Sequence, residues 1–390
     1  MLYTGEAQPR VRGLPPERQA METVIFAVAL CMLLLGKPRL RYSVPADGSY
    51  MSHDRTMMIN GIFMVAIVLK HLCQNGYEPQ APDTWLRDSL LYPLCQFIVA
   101  TFFFYSGYGI MASIRKKGNI YIHDLLSKRF LRLYLNFAVA AFISCATLAT
   151  FYMAPVAAAA KFAHSMVGMG GWWFIVMTLA LYLLTWASFR LCGTQRPWRA
   201  LALLAALTLV LCLTLLPYKP QWWLDTEPCF AAGAAYYLLQ PRIDALLIKT
   251  RLPISLLGAC VTALAVIGIT HLPICNQSLA YLLQMNAEAN RPLCFLLLTQ
   301  GLAILFAIGV TWFFAGVSWQ RVPHFLKWFG GPAVFVVFLW HFIPIRLSCH
   351  LGLNTACPPL HVLAVFLSAI LLAWLGIRLF NFVDRLFWKD

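Results

Sequence analysis

Few side chains in this sequence can do chemistry, and their spacing is informative. His71 ends the apolar run INGIFMVAIVLKH. An imidazole has an unperturbed pKa of about 6.5, so near neutral pH it accepts and returns protons readily. Asn60 stands eleven positions earlier. On a helix that places the two within ~20° of one face and ~16 Å apart along the axis. Met64 and Ile67 lie between them, so the polar pair brackets a stripe turned into the protein. Arg55 falls on nearly the opposite face, and Lys70 lies about 100° around from His71. His341, in FLWHFIPI, reads either as a plain core histidine or as a functional one. Asp225 and Glu227 follow Trp222 and Trp223, an interfacial aromatic pattern, and read as solvated rather than catalytic. Arg115, Lys116, Lys117, Lys128, Arg129 and Arg132 form a basic cluster. Such a cluster either docks phosphates, for which the arginine fork is suited, or merely orients the chain against anionic lipid. Ser106-Gly107 reads first as a close helix crossing. A serine nucleophile is the sharper alternative, but no G-x-S-x-G elbow is present.

The elements that position these residues follow from composition. The chain has 390 residues, 61% hydrophobic and 12% charged, with mean hydropathy +0.70. Soluble domains run near 45–50% apolar and about 25% charged, so a soluble enzyme is excluded, and so is disorder. A net charge of +15 invites a nucleic-acid reading. We reject it, because the basic residues sit in short clusters between apolar runs, as membrane topology requires. Ten segments are long and apolar enough to span: 56–73, 90–111, 133–153, 171–189, 200–217, 221–240, 253–271, 293–315, 333–349 and 360–382. They are apolar on all faces rather than alternating, which predicts an all-α, polytopic transmembrane helical bundle instead of a barrel. If residues 37–55 are cytoplasmic, the basic cluster above and Arg190, Arg196, Arg199, Arg242, Lys249 and Arg251 also fall inside. Outside remain only Lys70, Arg87, Lys161, Lys219, Arg291 and Arg346, and this asymmetry sets the expected orientation.

Residues 23–35 are apolar but short, and read as an extra short span or a surface segment. GKPRLR follows instead of a small-residue cleavage site, which disfavours a signal peptide. We therefore divide the chain into an accessory segment, 1–50, and a ten-span domain, 51–390. Met51 is a plausible start of its own, and residues 1–50 read equally as a start-site artefact. The longest outer connection, 154–171, either lies flat on the membrane or dips back into it. Most cysteines fall inside apolar runs and read as small apolar residues. Cys349 and Cys357 flank a short loop, where a disulfide is conceivable. No C-x-x-C pair and no nucleotide-binding glycine motif occurs, so neither a metal site nor ATP-driven transport is expected.

Six segments, in order, resemble the integral-membrane acyltransferase family 3. INGIFMVAIVLKH resembles its first-span motif of a basic residue, ten others and a histidine. FFFYSGYGI resembles its F-F-x-x-S-G signature, and RFLRLY its R-x-x-R entry to the third span. GWWFI, FAAGAAYYL and FLWHFIPI resemble later segments. The resemblance covers about residues 52–385. It implies an O-acyltransferase that takes an acyl group, usually acetyl, from cytoplasmic acyl-CoA to a hydroxyl at the outer face. The acceptor would be a glycan, a lipid-linked saccharide or a small hydroxylated molecule, and the setting the bacterial cytoplasmic membrane. His71 is then the expected catalytic base or a transient acyl carrier. Asn60 occupies the family's basic position and brings no charge. Arg129 and Arg132, with Arg115, Lys116 and Lys117, are the expected contacts for the CoA phosphates. Trp172 and Trp173 read as interface anchors or as a lid. A permease or flippase for a glycan or lipid intermediate explains the spans equally well but not the order of motifs.

Overall fold

The computed structural model describes residues 37–40, 49–75, 92–168, 172–250, 253–272, 291–319 and 324–388. The helices are α1 (His53–Asn75), α2 (Tyr92–Lys117), α3 (Asn119–Phe151), α4 (Pro155–Met166), α5 (Trp173–Cys192), α6 (Pro197–Leu215), α7 (Pro228–Thr250) and α8 (Ile254–Thr270). They continue with α9 (Arg291–Ala315), α10 (His324–Gly330), α11 (Val334–Trp340), α12 (Phe342–His350), α13 (Leu353–Ala356) and α14 (Pro358–Phe387). Among the described residues the only sheet is a two-stranded antiparallel ribbon of β1 (Pro38–Leu40) and β2 (Val317–Trp319). The chain is an all-α polytopic helical membrane protein.

Every predicted span holds a helix, but the division into spans differs. Among the described residues seven helices are long and apolar enough to cross a membrane, and up to nine spans result if each of two bent pairs counts as one. The first pair joins the α7 region to α8 at 113°, and the second joins α10 to the α11–α12 limb at 64°. The predicted sixth span ended before Pro241, yet α7 runs through it to Thr250. One proline removes a single ladder bond, and the surrounding helix absorbs that loss. The ninth span is broken where the sequence suggested continuity.

Burial follows the sequence chemistry. The apolar window of α2 is 72% buried, so this helix is central, whereas those of α6 and α14 are 28% buried and lie at the periphery. Leu264, Ile267, Leu371, Leu375 and Phe382 point outward, the pattern expected when lipid rather than water surrounds the bundle. Glycines set the tightest crossings. A Cβ on Gly107 of α2 would stand 1.9 Å from the Phe230 carbonyl oxygen of α7, and one on Gly233 would stand 1.9 Å from that of Phe104. The expected close crossing at Ser106-Gly107 is thus a reciprocal glycine contact. Gly61 of α1 and Gly330 of α10 make a second, with a Gly330 Cβ 2.0 Å from the Gly61 nitrogen.

The division at residue 50 falls inside the short turn Ser49–Met51. Tyr50 is buried there, and its hydroxyl donates to Asp244 at 2.6 Å and lies 2.9 Å from the Tyr236 hydroxyl. Together with the β1–β2 pairing, this fastens residues 38–40 and 49–51 to α7 and α9. Residues 23–35 lie outside the described residues. Cys357 is an exposed free thiol and Cys349 packs against the core, so the conceivable disulfide between them is not formed.

Candidate active site

The stripe on α1 is turned inward as its spacing predicts: Met64 and Ile67 are buried. Its C-terminal end meets the break between α11 and α12. The His71 and His341 ring centroids are 5.0 Å apart, and Phe342 lies against both, at 4.6 Å and 4.2 Å. The sequence left His341 undecided between core and function; the structure pairs it with His71.

Backbone geometry fixes the state of His341. It sits at the joint of two short helices and is 1% exposed. Its Nδ1 is 2.8 Å from the Val337 carbonyl oxygen. A carbonyl only accepts, so the proton is on Nδ1 and the lone pair is on Nε2. That Nε2 is buried and has no hydrogen-bond partner among the described residues. The arrangement leaves a bare imidazole acceptor beside a second imidazole.

Asn60 is far from this pair, as eleven helical positions require. It lies at the α1–α10 crossing: a Cβ on Gly330 would come within 2.6 Å of the Asn60 carbonyl carbon. The Asn60 Oδ1 is buried and finds no partner among the described residues.

The basic residues divide into different environments. Arg115, Lys116 and Lys117 close α2 and are exposed. Arg129 lies in a π-helical turn, Leu125–Leu131, within α3, and is also exposed. Such turns commonly mark functional positions because they widen the local backbone. Arg132 is engaged otherwise. Its Nε donates to Asp384 Oδ2 at 2.7 Å, its Nη2 donates to the same oxygen, and Asn136 donates to Oδ1 at 3.2 Å. This ion pair ties the start of the apolar part of α3 to the end of α14.

Asp225 and Glu227 are not solvated. They are 7% and 0% exposed, on the loop that follows the turn carrying Trp222 and Trp223. The Gln300 side-chain amide of α9 donates to the Leu224 carbonyl at 2.8 Å and holds that loop inward. The Thr226 backbone N–H donates to Glu227 Oε2 at 3.0 Å. Local sequence showed the tryptophans but not the distant glutamine.

Residues 154–168 double back. The Phe162 ring of α4 packs on Phe142 of α3 at 5.9 Å, and the Tyr134 hydroxyl donates to the Met166 carbonyl at 3.4 Å. α4 therefore runs antiparallel along α3. Trp172 packs on Phe137 at 5.6 Å and Trp173 on Trp222 at 5.8 Å, so both serve as packing anchors.

Between α3, α4, α11 and α12 lies a cavity of about 210 Å³. Phe342, the ring that touches both histidines, forms part of its wall, and Lys161 and Arg346 are its cations.

These features define a multi-pass membrane protein with an imidazole pair, one ring buried and the other half-buried, at the break of a helix. The family described as "Acyltransferase domain" matches residues 59–378, and the chain belongs to that family, the integral-membrane acyltransferases 3. It is an acyltransferase. Comparison with curated proteins and with solved structures gave no match.

Proposed function

We propose that the protein is an O-acyltransferase of the bacterial cytoplasmic membrane. It moves an acyl group, in the first instance acetyl, from cytoplasmic acyl-CoA to a hydroxyl of a glycan or lipid-linked saccharide at the outer face. The observation that carries this reading is the His71–His341 pair, 5.0 Å between ring centroids, at the end of an inward-facing stripe. His71 takes the proton from the acceptor hydroxyl. The oxygen attacks the thioester carbonyl, the C–S bond breaks, and the CoA thiolate leaves and is protonated. His341 holds a second lone pair on Nε2 beside the first ring and steadies its orientation. The exposed cations at the end of α2 and Arg129 receive the CoA phosphates through charge-assisted hydrogen bonds.

The test is His71→Ala, with labelled acyl-CoA followed into acceptor in membranes matched for protein. A positioned base contributes roughly 10²- to 10⁴-fold, so transfer should fall by that factor. Transfer at the unmodified rate would refute the assignment of His71. Absence of acyl movement from the unmodified protein would favour the permease reading.

A further inference from the structure

The cavity beside Phe342 is built from two chemically distinct parts. Leu148, Leu339, Ile343 and Leu347 give it an apolar wall, whereas Lys161 of α4 and Arg346 of α12 place two cations on it. Among the described residues no carboxylate forms an ion pair with either cation. The two stand close enough to feel each other: burial first, and then the charge of Arg346, hold the Lys161 ammonium below its ordinary pKa. α4 lies outside the candidate spans, and its fold back along α3 is what carries Lys161 to this position. The Tyr152 hydroxyl donates to the Arg346 carbonyl and fixes α12 against the end of α3. Two half-buried like charges without an acid are costly unless an anion joins them.

We propose that this cavity is the acceptor site and that it takes a phosphate-bearing amphiphile. The assignment rests on the acyltransferase reading and specifies its acceptor class. A phosphomonoester carries nearly two negative charges at neutral pH and several acceptor oxygens, which matches the two cations. The apolar wall receives the chain attached to it. Phe342 separates this cavity from the histidines, so an acceptor hydroxyl reaches His71 past that ring. The same phosphate chemistry is available from a membrane lipid or from a water-soluble phosphate, and the wall favours the lipid.

The experiment measures retention by the purified full-length protein in a neutral detergent, read by native mass spectrometry without acyl donor. The probes are phosphatidate, diacylglycerol and inorganic phosphate. We expect phosphatidate to be retained at least tenfold better than diacylglycerol, and inorganic phosphate to displace it only in large excess. The double variant Lys161→Gln, Arg346→Gln should lose at least tenfold in phosphatidate retention. Lys219→Gln removes another outer cation, one stacked on Trp223, and should leave retention as it was. Unchanged retention in the double variant overturns the proposal. So does equal retention of phosphatidate and diacylglycerol by the unmodified protein, a comparison that needs no variant to fold. Displacement by an equal concentration of inorganic phosphate overturns the role of the apolar wall. Because no donor is present, failure here leaves acyl transfer standing, whereas an inactive protein that still retains phosphatidate would count against the acyltransferase reading alone.

Discussion

Gly61→Ala tests whether the crossing of α1 and α10 sets the geometry of the histidine pair. An ideal Cβ at Gly61 would lie 2.1 Å from the Leu326 carbonyl oxygen and 2.8 Å from its carbon. Carbon contacts are comfortable at roughly 3.5 Å, so the two helices must part by about 1 Å. The obstacle is backbone, which cannot rotate away as a side chain would. Alanine gains up to about 1 kcal/mol over glycine in a helix interior. Overpacking costs about 1–3 kcal/mol, so the net effect on stability is small or modestly unfavourable. The geometric effect is larger. α10 leads through Gly331–Ala333 into α11, whose end carries His341. Displacement of α10 is therefore passed to the break at His341, while His71 stays on α1. A misplacement of about 1 Å at reacting groups costs on the order of 10²-fold in rate. We expect Gly61→Ala to reach the membrane in normal amount and to transfer labelled acyl groups about 10²-fold more slowly. Gly109→Ala is the matched control, because a Cβ there has no neighbour within 4 Å. It should equal the unmodified protein in rate and match or slightly exceed it in thermal midpoint. If Gly61→Ala transfers at the unmodified rate, the crossing does not control the histidine pair.

Other outcomes follow from the basic and polar positions. Arg129→Gln should raise the apparent KM for acyl-CoA with little change in thermal midpoint, since Arg129 is exposed, and normal donor saturation would remove it from the donor site. Arg132→Gln should lower the thermal midpoint as well. It breaks the contact with Asp384, and the arginine side chain is 51% exposed against 12% for the aspartate, so the loss is about 1 kcal/mol. An unchanged melting curve would show that the ion pair contributes nothing. Asn60→Lys should still transfer acyl groups, because a lysine near that end of α1 can extend its stem to the polar boundary. Its inactivation would show that the α1–α10 crossing is built around the neutral amide.

What the sequence made legible was whatever depends on local periodicity. Each of the ten apolar runs holds helix, the ninth in two pieces, and a spacing of eleven put Asn60 and His71 on one inward face. What it hid depends on contacts between distant residues. His341 lies 270 positions from His71, and no pattern in FLWHFIPI announces the break that brings its ring to 5.0 Å. Asp225 and Glu227 looked solvated because two tryptophans precede them, whereas Gln300, on a helix far along the chain, draws their loop inward. Arg132 looked like its neighbour Arg129, yet Asp384, 252 positions along the chain, separates their roles. The same holds for Lys161 and Arg346. Each was a lone outer cation in the sequence, and only the return of α4 along α3 makes them face one cavity. Such pairings arise because interior polar groups must find partners wherever the fold places them, and in a membrane the cost of failing to do so is higher still. A half-buried cation pair with no acid paired to it among the described residues is therefore the kind of feature that identifies a ligand, and it becomes visible only when the helices are assembled.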